Sequence, residues 1–478
     1  MVGIIGVIVA LAVLIYLALR GVSILIISIV CAGIVAVANG ISLNTALTGT
    51  YMQGLGGFLQ QFFLLFLFGA MFGKIMGDSG AATSVAYVLS RKLGSGRALL
   101  ITVAACAILS YGGVNIFILI FTVYHLGLHL MKQANLPKRL LVGAFALGGG
   151  TFTMTALPGT PSVQNLIPAQ AFGTPATAAP ELGIPAAVVM FGLGYWYLVW
   201  QARKARRAGE GFVPGPADPH VDDDSYLRDL PHWALSLVPL AVVLGLVIAT
   251  RNMQPQLPWV NVALVVGCVV GIALFFKRFK GIVAMLGAGA ANSALPILNT
   301  SAVIGFGTVV STVAAFRDFA SFVSSIHLPP LVSAAVVVNV MAALMGSASG
   351  GLRVFAQTMA PHYVSLGVEP ALLHRISAIA SGGLDSLPHN GVVITMLMVM
   401  GMTHREGYKE IFVETVLVPL AGLAVVPLQL LAWLFRGLVF QYLGLSALGA
   451  YVTLYRRHTA PDAAAVSIES IEPAVGEG

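Results

Sequence analysis

Residues 148–165 read GGGTFTMTALPGTPSVQN, and residues 381–391 read SGGLDSLPHNG. In both stretches a glycine pair follows a proline (Pro137 or Pro370) after twelve residues, and the two copies lie 233 residues apart. Both lie inside apolar segments of membrane length. Such interruptions at matching positions in two halves of a membrane protein indicate a transporter binding site. The reason is that unpaired backbone at membrane depth is tolerated only where it is packed in protein or lines a watery cavity.

The composition is that of a membrane protein. Of the 478 residues, 58% are hydrophobic and 9% are charged, and the mean hydropathy is +0.91, whereas soluble domains carry about 25% charged residues. The net charge of +7 indicates cations at cytoplasmic helix ends rather than a nucleic-acid partner. The three cysteines lie far apart without CxxC spacing, so neither a disulfide nor a metal site is predicted. We therefore expect an all-α polytopic membrane protein without a cofactor.

A membrane helix needs about 20 mostly apolar residues. The first apolar segment lacks the basic region and cleavage site of a signal peptide, so we interpret it as the first membrane helix. The segment 437–455 is either a further span or an amphipathic end. The predicted spans are 2–19, 22–39, 58–77, 139–165, 184–201, 232–250, 258–276, 282–312, 371–402 and 410–435.

Two further regions, 98–131 and 329–367, are each long enough for two helices but break near the middle. The breaks are 111–115 (YGGVN) and 346–351 (GSASGG). Cations precede and follow the first region, which puts both of its ends on one side of the membrane. Two ordinary short helices joined by a glycine turn are the alternative. Because the pattern recurs in the second half, we expect two re-entrant hairpins.

Charge placement predicts an inverted repeat. If the Lys and Arg clusters are cytoplasmic, the loops 40–57 and 166–183, which contain neither residue, lie outside. The first hairpin then opens from the cytoplasm and the second from outside. The predicted organisation is a first repeat over 1–202 with the inward hairpin (98–131) and a broken helix (139–165), a cytoplasmic linker over 203–231, a second repeat over 232–440 with the outward hairpin (329–367) and a broken helix (371–402), and a C-terminal segment with a disordered tail over 441–478.

The breaks predict a cavity for a small anion. The N-terminus of a half-helix that follows a break carries about half a positive charge, and hydroxyl and amide groups stand beside the breaks and at the hairpin tips. Packing glycines and ordinary kinks are the alternative, but two matched breaks with two matched tips favour a site. The predicted substrate-binding residues are Asn115, Thr153, Thr155, Gly159, Thr160, Ser162, Asn165, Ser347, Ser349, Gly350, Arg353, Gly383, Ser386, His389 and Asn390.

Asp385 and His389 are the predicted proton-coupling residues, because ionisable groups within a membrane are costly and mark functional sites. Burial favours the neutral form of a carboxyl group, and a nearby anion favours it further, so proton and substrate binding would depend on each other. A structural Asp–His hydrogen bond is the alternative. Arg353 is expected to meet the substrate carboxylate, to pair with Asp385 or to reach outward.

Other charged residues are expected to have structural or interfacial roles. Lys74 and Asp78 are expected to form helix-end or interhelical pairs. His374 and Arg375 lie toward the end of a span, where contacts with lipid headgroups or the membrane interface are expected.

Sequence motifs of enzymes and ATP-driven pumps are absent: there is no HExxH, no Cys/His cluster and no P-loop. A serine hydrolase built on Ser347 or Ser349, with His374 or His389 as base, would need a strand-based nucleophile elbow, and no sheet is predicted. A passive anion channel is a second alternative. We therefore predict that the chain is not an enzyme.

Residues 148–161, running on to Asn165, Ile167-Pro168 and 172–174, resemble the gluconate:proton symporter family of the ion-transporter superfamily, and residues 382–391 fit it as well. The resemblance covers about 1–440. It implies uptake of organic acid anions by a homodimer in which a transport domain moves against a scaffold domain as an elevator. The first break is poorer in proline than that of sugar-acid permeases and lacks their histidine, so the chain looks more similar to the hydroxybutyrate-permease-like branch.

The sequence therefore predicts a multi-pass symporter of the bacterial inner membrane. Its expected substrate is a small hydroxy- or oxo-carboxylate such as gluconate or 3-hydroxybutyrate, taken up with a proton. Sodium coupling is the alternative, because some superfamily members bind Na⁺ at Ser/Asn/Thr tips, although the tips here lack a clear Ser-Asn-Thr triplet. Besides substrate and coupling ion, the expected partners are lipid and a second copy of the chain.

Overall fold

The structure, a computed structural model, describes residues 2–20, 22–114, 116–215, 218, 229–250, 252–253, 255–314, 328–388, 390–425, 443 and 446–451. The chain divides into two units, Met1–Val426 and Pro427–Gly478. In the second unit only 443 and 446–451 are described, and they are helical. The described residues of the first unit form helices and connecting turns, with no strand among them.

The helices of the first half are α1 (Val2–Leu19), α2 (Ile24–Ala38), α3 (Met52–Asp78), α4 (Ala81–Leu93), α5 (Ala98–Tyr111), α6 (Ile116–Gln133), α7 (Arg139–Gly150), α8 (Phe152–Thr155), α9 (Val163–Phe172) and α10 (Pro180–Arg207). Those of the second half are α11 (Trp233–Ala249), α12 (Gln256–Phe275), α13 (Ile282–Thr312), α14 (Pro330–Met345), α15 (Ala348–Thr358), α16 (Ala360–Ser365), α17 (Pro370–Ser381), α18 (Gly391–Val399) and α19 (His404–Phe412). A π-helical turn, Thr45–Tyr51, leads into α3, and a second, Val413–Leu417, follows α19.

The predicted spans match helices wherever the structure describes them, but helix α4 was not predicted. The prediction that 40–57 and 166–183 are loops is wrong in part. The first is helical from Thr45 onward, because no proline interrupts it and a helix satisfies its backbone groups internally. In the second, α9 continues to Phe172 and α10 already begins at Pro180. The predicted C-terminal segment over 441–478 lies almost wholly outside the described residues.

Four helices among the described residues are long and apolar enough to cross a membrane: Thr45–Asp78, Pro180–Arg207, Leu257–Arg278 and Ile282–Thr312. Large hydrophobic side chains are exposed on their surfaces, including Trp196 at 65%. Such a surface needs an apolar solvent. The chain is therefore a multi-pass membrane protein.

The helices pack in two groups. In the first, α13 packs along α3, with α1, α2, α11 and α12 around this pair. Glycines allow the close crossing: a Cβ at Gly54 would lie 2.1 Å from Thr308 Oγ1, and one at Gly305 would lie 2.8 Å from the Tyr51 carbonyl oxygen. In the second group, α5 packs on α7, α14 on α15 and α17, and α9 on α17.

The second group contains four interruptions, each where the sequence predicts one. Helix α5 ends at Tyr111, α7 ends at Gly150, α14 ends at Met345 and α17 ends at Ser381. Gly346 closes α14 in the left-handed conformation (φ +57°), which favours glycine at a helix C-terminus. The two arms of this second hairpin approach closely, since a Cβ at Gly351 would lie 2.3 Å from the backbone nitrogen of Ala342.

Candidate functional site

A cavity of about 160 Å³ lies where the four interruptions meet. Its walls include residues 113–114 at the first hairpin tip and residues 346–349 at the second tip. The two breaks contribute residues from 149–164 and 385–393. Helices α9, α15 and α18 all begin at this cavity, because Val163, Ala348 and Gly391 line it. Four segments that are far apart in the chain thus form one site.

The second break is closed by Asn390. Its Oδ1 accepts hydrogen bonds from the backbone N–H groups of Val392 (2.7 Å) and Val393 (3.1 Å), so that it caps helix α18. Its Nδ2 donates to the carbonyl oxygen of Asp385 at 3.0 Å. One side chain therefore joins the start of α18 to the backbone within the break.

The Asp385 side chain connects the second break to the second hairpin. It lines the cavity and is 5% exposed. Ser386 Oγ donates a hydrogen bond to Asp385 Oδ1 at 3.0 Å, and the backbone N–H groups of Ser386 and Ala348 interact with the carboxyl group. Ala348 is the first residue of α15, so this carboxyl group lies at the positive end of a helix that begins at the cavity.

The second hairpin tip presents two hydroxyl groups. Ser347 Oγ accepts from the Gly350 N–H at 3.2 Å and caps α15, and it lies 3.2 Å from Ser349 Oγ. Both serines line the cavity. Gly350 contributes its backbone N–H to the cap rather than a surface to the cavity wall.

Helix α9 begins differently from the other two. Ser162, at its N-cap position, lines the cavity, but its hydroxyl donates to the Met154 carbonyl oxygen at 2.7 Å and makes no cap bond. The first amide groups of α9 are therefore not satisfied by the side chain at the N-cap. This helix start is suited to an anionic group.

Most other polar residues of the first break hold its loop together. Asn165 Nδ2 donates to the carbonyl oxygens of Thr160 (2.9 Å) and Ala176 (2.7 Å). Gly159, with φ of +85°, donates its N–H to the same Ala176 oxygen at 2.9 Å. Thr153 Oγ1 donates to Gly148 O at 2.8 Å, and Thr155 Oγ1 donates to Thr151 O at 3.1 Å. All four predicted side-chain ligands in this group, Thr153, Thr155, Thr160 and Asn165, are 1% exposed.

His374 and Arg375 connect helix α17 to the loop of the first break, and the prediction of interfacial roles for them is wrong. Both are completely buried. His374 Nε2 lies 2.9 Å from Asn165 Oδ1, and its Nδ1 lies 2.6 Å from Thr174 Oγ1. Arg375 donates to the carbonyl oxygens of Ala178 (2.8 and 3.0 Å), Ala176 (3.1 Å) and Ala156 (3.4 Å). Because the cation is held by backbone carbonyls, it can lie inside the protein without reaching lipid headgroups.

The structure divides the predicted substrate-binding residues into three sets. Ser162, Ser347, Ser349, Ser386 and Asn390 line the cavity together with Asp385. Thr153, Thr155, Gly159, Thr160, Asn165, Gly350, Arg353 and Gly383 do not belong to its wall. Asn115 and His389 lie outside the described residues.

Arg353 and Gly383 have packing roles instead. The Arg353 guanidinium carbon lies 5.9 Å from the ring centre of Phe62 on α3, a cation–π contact that directs the side chain away from the cavity. A Cβ at Gly383 would lie 1.9 Å from Asn339 Oδ1, so glycine is needed there for α14 to approach the break. Lys74 and Asp78 form a salt bridge of 2.8 Å, which confirms the prediction that they pair.

Six polar wall residues lie outside the predicted set: Ser28, Ser110, Gln164, Asn299, Thr300 and Thr415. Asn299 lies on the long helix α13, and its Oδ1 is buried without a hydrogen-bond partner among the described residues. An available signal was the triplet Asn299-Thr300-Ser301, which follows Pro296 in the middle of a long helix without charged residues. Polar groups at such a depth are costly unless they serve a site.

A helical, multi-pass chain with interrupted helices around a central polar cavity has the architecture of a membrane transporter. The chain belongs to the GntP permease family, because the family model described as "GntP family permease" matches residues 2–432. It is therefore a secondary transporter and not an enzyme.

Two known proteins are similar to it. A transporter of Bacillus subtilis (strain 168) described as "Uncharacterized transporter YxjC" is 34% identical over 467 residues, covering 89% of this chain and 98% of that protein. The YdaH transporter of Alcanivorax borkumensis, whose crystal structure was described as having an unusual topology, superposes with a TM-score of 0.51 at 15% identity. That match covers 82% of this chain and 88% of YdaH, and it shows a likeness of fold alone.

Proposed function

We propose that the protein takes up a small hydroxy- or oxo-carboxylate together with a proton. The observation that carries this proposal is the position of Asp385 in a cavity where helices α9, α15 and α18 begin, among the hydroxyl and amide groups of Ser162, Ser347, Ser349, Ser386 and Asn390. Helix N-termini attract a carboxylate, and hydroxyl and amide groups bind a hydroxylated or keto body. The volume of about 160 Å³ is below the range of about 300–1,000 Å³ typical of sites for drug-sized ligands, which supports an acid of a few carbon atoms.

The contact between Asp385 and Ala348 suggests how proton and substrate binding are coupled. While Asp385 is ionised, its negative charge lies at the N-terminus of α15 and repels an incoming carboxylate. When Asp385 binds a proton, this repulsion disappears and the positive helix end becomes available to the substrate. A substrate carboxylate in turn favours the protonated form, so each ligand promotes binding of the other.

The two halves of the chain support an inverted-repeat elevator, with repeats over 1–202 and 232–440. The hairpins and broken helices pack with one another, while α1–α3 and α11–α13 form the other group. We assign the hairpins and broken helices to the transport domain, and α1–α3 with α11–α13 to the scaffold. On the basis of the family resemblance, we further propose that the protein is a homodimer in the bacterial inner membrane. Cysteines introduced at the exposed positions Gly96 and Ser365 should react with an impermeant thiol reagent from opposite sides of the membrane, since the native cysteines are buried.

The test is uptake of radiolabelled 3-hydroxybutyrate, gluconate and lactate into proteoliposomes under an imposed pH gradient or an imposed sodium gradient. Accumulation driven by the pH gradient alone is expected for at least one acid. Uptake that follows sodium would move the coupling site to the hairpin-tip oxygens. Equilibration without accumulation would indicate a channel, and no uptake of any of the three acids would refute the substrate class.

The role of Asp385 is tested by Asp385→Asn, with Asp229→Asn as the matched control because Asp229 is 94% exposed. We expect Asp385→Asn to abolish accumulation driven by the pH gradient and Asp229→Asn to preserve it. Full proton-driven accumulation by Asp385→Asn would remove Asp385 from the coupling role.

A further inference from the structure

A second buried carboxyl group, Glu414, lies beside the cavity but not in its wall. It belongs to the π-helical turn Val413–Leu417 and is completely buried. Neither of its carboxyl oxygens has a hydrogen-bond partner among the described residues. The next residue, Thr415, and Ile411 in the preceding turn both line the cavity. Single π-helical turns occur often at functional sites, where the widened turn repositions a side chain.

The fold makes space for this carboxyl group. A Cβ at Gly194 on α10 would lie 2.4 Å from Glu414 Oε2, and one at Gly143 on α7 would lie 3.8 Å from Glu414 Cγ. The backbone carbonyl oxygen of Glu414 accepts a hydrogen bond of 3.0 Å from Thr151 Oγ1, at the start of the first break. Glu414 is therefore packed tightly between two transmembrane helices and tied to the interruption that borders the cavity.

The charges around Glu414 are already accounted for. Glu410, four residues earlier, receives hydrogen bonds from the Arg139 guanidinium and from the Tyr197 hydroxyl. Arg139 also binds Glu210 through Nε and Nη2, both at 2.8 Å. Glu410 on the preceding helix and Tyr197 on α10 are the titratable groups that interact electrostatically with Glu414 among the described residues. One cation thus serves two carboxylates, and in the part of the chain that the structure describes no cation pairs with Glu414.

An unpaired carboxylate buried in an apolar environment is strongly destabilising, and in practice such a group takes up a proton instead. The nearby anion of Glu410 acts in the same direction. We infer that Glu414 holds a proton in this conformation and is a second proton-binding site of the transporter, between the Arg139 ion pairs and the cavity. The inference that Glu414 takes part in transport rests on the proton coupling proposed above. The inference that Glu414 is protonated does not depend on that proposal.

Infrared spectroscopy of the purified protein without substrate tests the protonated state. The matched variants are Glu414→Gln and Glu406→Gln, because Glu406 is an exposed carboxylate of the preceding helix whose capping box accepts glutamine. We expect the carbonyl band of a protonated carboxyl group to lose intensity in Glu414→Gln and to be unchanged in Glu406→Gln. Because Asp385 contributes to the same region, Asp385→Asn assigns the other component. An unchanged band in Glu414→Gln would overturn the inference.

Transport by the same variants tests the coupling role. A gradient of one pH unit supplies about 1.36 kcal/mol per proton. If one proton enters with each monoanion, this gradient sustains about tenfold accumulation of the substrate. In Glu414→Gln, we expect the accumulation ratio to fall to about onefold. Substrate counterflow by this variant should decline far less, because counterflow needs no net proton movement. Glu406→Gln should match the unmodified protein in both assays. Retained tenfold accumulation in Glu414→Gln would overturn the coupling role.

Two controls keep the outcomes distinct. If the unmodified protein itself shows no accumulation driven by the pH gradient, the proposed function fails while the infrared result still decides the state of Glu414. If Glu414→Gln does not assemble, Glu414→Asp retains the acid in a shorter side chain and should shift the carboxyl band rather than remove it. An unshifted band in Glu414→Asp would likewise contradict the inference.

Discussion

Replacement of Arg375 tests whether this buried cation holds the loop of the first break to helix α17. Arg375→Met keeps a long apolar side chain but removes every donor, and Arg375→Lys keeps the charge but loses the fork of donors. The Ala176 oxygen retains hydrogen bonds from the Gly159 N–H and Asn165 Nδ2 in either variant. The Ala178 oxygen loses both of its bonds from the guanidinium.

The structure gives an order of magnitude for each variant. A buried carbonyl left without a partner costs about 1–3 kcal/mol, and Arg375→Met partly offsets this by removing a buried charge that forms no salt bridge among the described residues. We therefore expect a loss of about 2 kcal/mol for Arg375→Met. A lysine at this position reaches fewer of the carbonyl groups and leaves a buried cation poorly satisfied, which costs about 3–5 kcal/mol. The lysine variant should thus be the less stable of the two, although it is chemically closer to arginine.

The assay measures the fraction of detergent-solubilised protein that remains monodisperse after heating to a series of temperatures. The temperature at which half of the protein is lost gives the apparent melting temperature. Arg405→Met and Arg405→Lys are matched controls at an exposed position and should behave like the unmodified protein. The reasoning is refuted if the Arg375 variants melt with the Arg405 controls, or if Arg375→Lys is more stable than Arg375→Met. Weaker substrate binding should accompany the loss of stability, because Arg375 holds the loop from which helix α9 starts at the cavity.

Three further predictions concern the hairpin, the cavity and the linker. Gly351→Ala should strongly reduce both uptake and thermal stability, since its Cβ would lie 2.3 Å from backbone of the facing arm. Gly350→Ala should have a small effect, because the nearest neighbours of its Cβ are side-chain atoms at 3.3 Å. Equal losses in the two variants would contradict this prediction. Asn299→Ala should raise the KM for uptake with little change in stability, because the buried Oδ1 of Asn299 has no hydrogen-bond partner among the described residues. Asn299→Asp should raise the KM further, because it adds a negative charge near the bound anion. An unaltered KM in both variants would exclude Asn299 from the site. Hydrogen bonds from Arg139 hold the pKa of Glu210 below its ordinary range. This contact therefore stabilises the linker fully at pH values above the ordinary pKa of about 4.3, and the stabilisation is lost as the pH falls through the lowered pKa. Limited proteolysis of the linker should accelerate at that acidic pH, and cleavage that is independent of pH would contradict the prediction.

Much of the fold is local in origin and could be predicted from the sequence. Apolar runs of membrane length predict the spans. The glycine and proline clusters at 149–161, 346–351 and 382–388 predict the interruptions, because proline lacks the backbone N–H of a regular helix and glycine lowers helix stability. Asn390 and Ser347 are wall residues for the same reason, since they stand at helix starts that the interruptions create. Asp385 lies within the second break itself.

The tertiary structure decided which polar side chains face the cavity and which close the loops. Asn165 and His374 are 209 positions apart, yet they form a hydrogen bond, and Asn165 lies outside the cavity wall. Arg375 is a cation that by itself predicts an interface, and only carbonyl groups from a distant loop allow it to be buried. Asn299 and Glu414 gain significance because neighbouring helices leave their oxygens without partners. Composition and local pattern determine where a helix runs and where it breaks, whereas the partner of each buried polar group depends on helix packing between residues hundreds of positions apart.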